Sequence, residues 1–74
     1  NNNYREQLNR YFSETYGCPI KFTEPEVDGG LNDKLYTVSV LDDKDVCIGT
    51  GVGKSKKKAE QYACKDTLKN LKLL

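Results

Sequence analysis

The residues best suited to chemistry lie in one run, Gly51-Val52-Gly53-Lys54-Ser55-Lys56-Lys57-Lys58-Ala59-Glu60. Glycines lead directly into a predicted helix that opens with Ser and three consecutive lysines. A helix N-terminus carries partial positive charge and prefers Asp or Glu in its first turn, so each lysine there costs about 0.3–1 kcal/mol. A local rule broken without visible compensation points to function. The compensating group would be an anion, met by free backbone amides, the helix dipole and ammonium groups together. The bland alternative is a solvated lysine run that only aids solubility. A nucleotide-binding P-loop does not fit. Gly49 and Gly53 are four apart, the G-x-x-x-x-G-K-[ST] spacing is missing, and no parallel α/β pattern surrounds the run.

Other chemistries find little support. The chain has no histidine, so general acid–base work near neutral pH is poorly served. No paired carboxylates suggest hydrolysis, and no catalytic residue is assigned. Cys18, Cys47 and Cys64 are odd in number, widely spaced and without a CxxC pair. They read as three small, semi-buried thiols in a reducing compartment, with no disulfide framework and no metal site. The acids Asp28, Asp33, Asp42, Asp43 and Asp45 show no convergent spacing and read as solvated turns. Tyr4, Tyr11, Tyr16, Tyr36 and Tyr62 fit core and core margin better than base stacking on a single strand. No cofactor and no small-molecule substrate are expected.

The chain of 74 residues allows one small domain with a thin core. Its formal net charge of +1 argues weakly against a polyanionic partner, but the distribution is bipolar. Residues 24–45 hold seven acids against Lys34 and Lys44, whereas residues 54–74 hold seven lysines against Glu60 and Asp66. The basic end is the part a phosphate backbone would meet. No uncharged run is long enough to span a bilayer and no signal peptide is visible, so an intracellular protein, cytoplasmic or nuclear, with no membrane partner is expected.

These residues need a scaffold, and the pattern supplies one. Residues 3–16 read as a helix with an apolar stripe at Tyr4, Leu8, Tyr11 and Phe12, capped by Asn2 or Asn3 and closed by Gly17 before Pro19. Residues 20–27 read as a strand in which Pro25 fits only an edge or a bulge. Asp28-Gly29-Gly30 is a turn. Residues 34–41 alternate as a half-buried antiparallel strand. Asp42–Asp45 forms a tight turn, Val46-Cys47-Ile48 begins a third strand, and Gly49, Gly51 and Gly53 end it. Residues 55–71 read as a second helix, with Ala59, Ala63, Thr67 and Leu71 on one side and Lys58, Gln61, Lys65 and Lys69 on the other. The expected fold is α+β, in the order α-β-β-β-α. A three-stranded antiparallel sheet carries both helices on one face, and residues 1–74 form a single domain.

Gly49–Leu68, "GTGVGKSKKKAEQYACKDTL", resembles the C-terminal signature of double-stranded-RNA-binding domains, roughly G-x-G-x-S-K-K-x-A-[EK]-x-x-A-A-x-x-A-L. Cys64 and Thr67 stand where alanines are usual. "YREQLNRY" resembles that family's first helix, and "GGLNDKLYTV" its second loop and following strand, so the resemblance covers essentially the whole chain. "SKKKAEQ" is most similar to the domain that follows the nuclease domain in ribonuclease III and Dicer-type enzymes. The resemblance implies binding of double-stranded RNA through three regions. Glu6, Asn9, Arg10 and Ser13 correspond to a minor-groove face of the first helix. Those positions do share one helical face, opposite Leu8, Tyr11 and Phe12. Asn32, where the family usually has His, corresponds to a second minor-groove contact, and Gly30 stands where a Pro is usual. Lys56 and Lys57, with Lys54 and Ser55 beside them, match the lysines that bridge major-groove phosphates. Glu60 stands where many members have a third lysine. Recognition would be of A-form shape and 2′-hydroxyls, largely independent of sequence. The alternative is a module of the same fold that binds a protein partner or a second copy.

Overall fold

In a computed structural model, which describes residues 3–74, α1 spans Tyr4–Tyr16. The Asn3 side chain accepts a hydrogen bond from the Glu6 amide at 3.2 Å and so satisfies one orphan donor of the first turn. Asn2, the other candidate cap, lies outside the described residues. Gly17 ends the helix in the left-handed conformation at φ 69°, where a side chain would be strained, and its amide donates to the Phe12 and Ser13 carbonyls. Leu8 and Phe12 are fully buried, and Tyr4, Tyr11 and Tyr16 pack around that core. Tyr16 meets Phe12 edge to face, with ring centroids 4.9 Å apart.

The predicted strand over 20–27 is present in two pieces, β1 (Lys21–Phe22) and β2 (Glu26–Asp28), which both pair antiparallel with β3 (Leu35–Leu41). Phe22 faces Val40 and Glu26 faces Thr37, so three residues of the edge oppose two of β3. The extra residue is a bulge, and Pro25, which has no amide to give to a ladder, sits within it. Thr23 holds the gap together: its amide donates to the Ser39 carbonyl at 2.9 Å, and its hydroxyl accepts from the Ser39 amide at 3.0 Å. The sheet is therefore the expected meander with its edge strand interrupted, four strands by count.

The last strand, β4 (Cys47–Gly53), pairs antiparallel along β3 and runs through the glycines instead of ending at them. Between the two strands, Asp42 builds the turn. Its carboxylate accepts from the Lys44 and Val46 amides at 2.8 and 2.9 Å, while Asp45 takes a left-handed conformation at φ 64° and pairs with Lys21. Part of the acidic belt is thus turn architecture, as Asx side chains commonly are.

Gly49, Gly51 and Gly53 lie on the helix-facing side of β4, all buried. A Cβ on Gly51 would fall 2.1 Å from the Ala63 nitrogen and 2.3 Å from the Ala59 oxygen of α2 (Lys56–Asn70). On Gly49 it would fall 2.0 Å from the Thr67 hydroxyl, and on Gly53 2.8 Å from the Ala59 nitrogen. The second helix rests on this row through Ala59, Ala63 and Thr67, all fully buried. The Thr67 hydroxyl donates to the Ala63 carbonyl at 2.8 Å, which satisfies the one polar group on that face. Cys64 and Leu68 extend the face toward Leu8, Phe12 and Val40 to form the core. On β4, the Thr50 amide donates to the Asp66 carboxylate at 3.0 Å and the Ile48 carbonyl accepts from the Asn70 side-chain amide at 3.1 Å. Two backbone groups of a strand with a neighbour on one side only are thereby occupied.

The cysteines are less alike than the sequence suggests. Cys64 is fully buried, and desolvation pushes its thiol up to about 11. Cys47 is exposed, and a hydrogen bond with the Thr50 hydroxyl lowers its thiol. Tyr62, expected at the core margin, keeps 49% of its surface exposed.

Gly51→Ala tests the helix seat. The added methyl meets helix backbone, which cannot rotate away as a side chain can. Overpacking typically costs about 1–3 kcal/mol, and a clash with backbone stands at or above the top of that range. For a domain of this size each kcal/mol lowers Tm by roughly 4–8 °C, so thermal melts followed by circular dichroism should show a loss exceeding about 10 °C, or no folded state.

Candidate nucleic-acid interface

Strand β4 delivers the chain to the start of α2 at Lys54-Ser55. Ser55 is extended, at φ −144° and ψ 160°, and its hydroxyl accepts from the Lys58 amide at 3.1 Å. It is the N-cap, half-buried. Its hydroxyl is engaged within the protein, so its part in the site is to fix where α2 begins. Lys56 and Lys57 follow in the first turn, both exposed, and that turn contains no acidic residue. Among the described residues, neither lysine takes part in an ion pair. Two ammonium groups therefore stand at a positive helix end with their charge uncompensated.

Lys54 is exposed at the end of β4 and lines a depression together with Asn32, Asp33 and Lys34 of the β2–β3 loop. The structure thus brings Asn32 beside the basic segment, although the two are far apart in sequence. That loop is shaped by Asp28, whose carboxylate accepts from the Gly29 amide at 2.9 Å, and by Gly29 at φ 101°. A Cβ on Gly29 would strike the Asp33 carbonyl oxygen at 2.0 Å. Leu31, beside Asn32, is 95% exposed.

Glu6, Asn9, Arg10 and Ser13 are all exposed on α1, turned away from Leu8 and Phe12. Asn9, Arg10 and Ser13 border a shallow groove with Gly17, Cys18 and Pro19. This face is a separate region from the depression at Asn32 and Lys54. Glu6 is partly engaged at the helix start, where its carboxylate accepts from the Asn3 side-chain amide at 3.1 Å. The molecule measures 41 Å along its longest axis, so separated contact regions can be spread along one rigid body.

One arrangement at the site was not legible in the sequence. Glu60, one turn into α2, forms an ion pair with Arg5 of α1 at 3.0 Å. Arg5 also lies over the Phe22 ring, 5.5 Å from its centroid. Lys65 of α2 likewise lies over the Tyr4 ring at 5.7 Å. No local pattern announces a pair such as Arg5–Glu60, which spans 55 residues.

Comparison with known proteins gives a family match and several relatives. A family model described as "Double-stranded RNA binding motif" matches residues 4–71. Ribonuclease 3 of Ligilactobacillus salivarius is 35% identical over 68 residues, which cover 92% of this chain and 29% of that relative. Ribonuclease 3 of Desulforamulus reducens is also 35% identical over 68 residues, covering 92% of this chain and 27% of the relative. The chain spans less than a third of the length of these curated relatives.

Ser55 and the lysines separate in a stability measurement. Ser55→Ala removes the cap and should cost about 1 kcal/mol. Replacing Lys56 and Lys57 with alanine removes misplaced positive charge and should leave Tm unchanged or slightly raised. Chemical and thermal denaturation of the two variants beside the parent domain checks both.

Proposed function

The chain belongs to the double-stranded RNA binding motif family, and from that premise we propose that it grips an RNA duplex through the three regions described above. Lys56 and Lys57, with Lys54, would meet phosphates across the major groove, while the α1 face and the Asn32 loop would enter minor grooves on either side. The observation that carries this assignment is the unpaired lysine pair in the first turn of α2. A-form RNA suits it, because its major groove is too deep and narrow for side chains to read. Its wide minor groove offers 2′-hydroxyls, which Asn9, Ser13 and Asn32 can address as donors or acceptors. Binding follows shape and is largely independent of base sequence.

The parent protein is, on the strength of the Ribonuclease 3 relatives, an RNA-processing enzyme in which this domain holds the duplex. The matched segment is the binding part. Among the described residues no helix is long and apolar enough to cross a membrane.

The decisive experiment is a salt titration. The wild-type domain should bind a short RNA duplex more tightly than a DNA duplex of equal length. In the folded Lys56→Ala/Lys57→Ala variant, the log–log salt slope should become shallower by roughly 0.7–0.9 per lost phosphate contact, with a sharp loss of affinity. Unchanged affinity and slope in the folded double variant would overturn the assignment and leave a protein-binding module as the better reading.

A second measurement addresses α1. Asn9→Ala removes an exposed side chain and should leave Tm unchanged. It should weaken duplex binding by about 1 kcal/mol, the worth of one hydrogen bond. Fluorescence anisotropy with a labelled duplex would register the loss, and an unchanged affinity would remove this face from the interface.

A further inference from the structure

Glu60 lies four residues after Lys56 and three after Lys57, the spacings at which side chains on a helix surface meet. Left to local geometry, its carboxylate would pair with one of those lysines. The structure shows a different partner: Glu60 is held at 3.0 Å by Arg5. The Glu60 side chain keeps only 13% of its exposure, against 54% for Arg5, so the carboxylate is withdrawn beneath the guanidinium. Arg5 is itself steadied over the Phe22 ring of β1. Among the described residues, Lys56 and Lys57 are left without an ion pair.

We propose that Arg5 is a positioning residue for RNA binding: by holding Glu60 against α1 it keeps that carboxylate off Lys56 and Lys57, leaving both ammonium groups available to phosphate. Arg5 need not touch the RNA. The inference rests on the assignment of Lys56 and Lys57 to the phosphate contact. It explains how an acid can stand inside a basic site without cancelling it.

A double-mutant cycle on duplex binding tests this, with wild type, Arg5→Gln, Glu60→Gln and the double variant measured at several salt concentrations. At about 0.15 M salt, loss of one phosphate contact by counterion release costs roughly fivefold in affinity. Arg5→Gln should show about that loss, with a shallower salt slope. Made on top of Glu60→Gln, the same change should cost less than about twofold, because only a screened long-range charge is removed. Arg5→Lys, which retains a cation for Glu60, should restore most of the affinity. Equal losses with and without Glu60→Gln would overturn the proposal, because Arg5 would then act on RNA directly or by net charge alone.

Glu60→Gln on its own does not depend on how well Arg5→Gln folds. It should change affinity by less than about twofold, since Arg5 already neutralises that carboxylate. A gain of about fivefold would show Glu60 opposing RNA in the native domain and would also overturn the proposal. Failure of the wild-type domain to bind the duplex is a different result. It overturns the RNA assignment itself and is read from the first arm, before any variant enters.

Discussion

The close seating of α2 on the glycine row of β4 is the contact on which the rest of the structure depends. Helix and sheet normally meet through side chains that hold their backbones well apart. Here Gly49, Gly51 and Gly53 offer no side chain, and Ala59, Ala63 and Thr67 offer small ones, so backbone approaches backbone. In so short a chain, with Leu8, Phe12, Val38, Val40 and Leu68 as its largest buried aliphatic and aromatic side chains, such contact extracts dispersion energy from few atoms. The glycines set how closely the helix approaches, and the Thr50–Asp66 and Asn70–Ile48 hydrogen bonds fix where it lies along β4, so the start of α2 is located with the strand.

That rigidity matters because the helix start is where the electrostatics are adverse. Three lysines in a first turn repel one another and the dipole. A loosely packed helix would relieve the strain by fraying from that end. The Ser55 cap, the short path from Gly53 and the Ala59–Gly53 contact hold the turn formed with its charges exposed. Stability drawn from the middle of the helix thus supports an unfavourable end, a local conflict of the kind functional sites tolerate.

The sequence disclosed local features better than long-range ones. Both helices were legible from their periodicity, and α1 from its caps, because those signals lie within a few residues. The central strand was legible from strict alternation. The glycines misled: strand statistics treat Gly as a terminator, and only the helix packed across them shows why they belong inside β4. Pro25 signalled an irregular edge, yet the split into β1 and β2 depends on Thr23 reaching Ser39 across the sheet. At the site, the lysine pair was visible in the sequence. The placing of Asn32 and Lys54 around one depression, and the pairing of Arg5 with Glu60, required the fold.

The same distinction resolves the apparent difficulty of net charge. A formal charge of +1 counts every acid as though it faced the ligand. In the folded molecule both acids of α2 have partners: Glu60 is held by Arg5 and Asp66 by the Thr50 amide. Asp42 is turned onto amides of its own turn, and Asp45 pairs with Lys21. The basic residues at the start of α2 have no such partners among the described residues. What an approaching polyanion meets within a Debye length of about 8 Å at physiological salt is the local field, and there the lysines dominate. Seven of the acids lie in residues 24–45 and seven lysines in residues 54–74, and this segregation, more than the total charge, gives the nearly neutral domain a basic face.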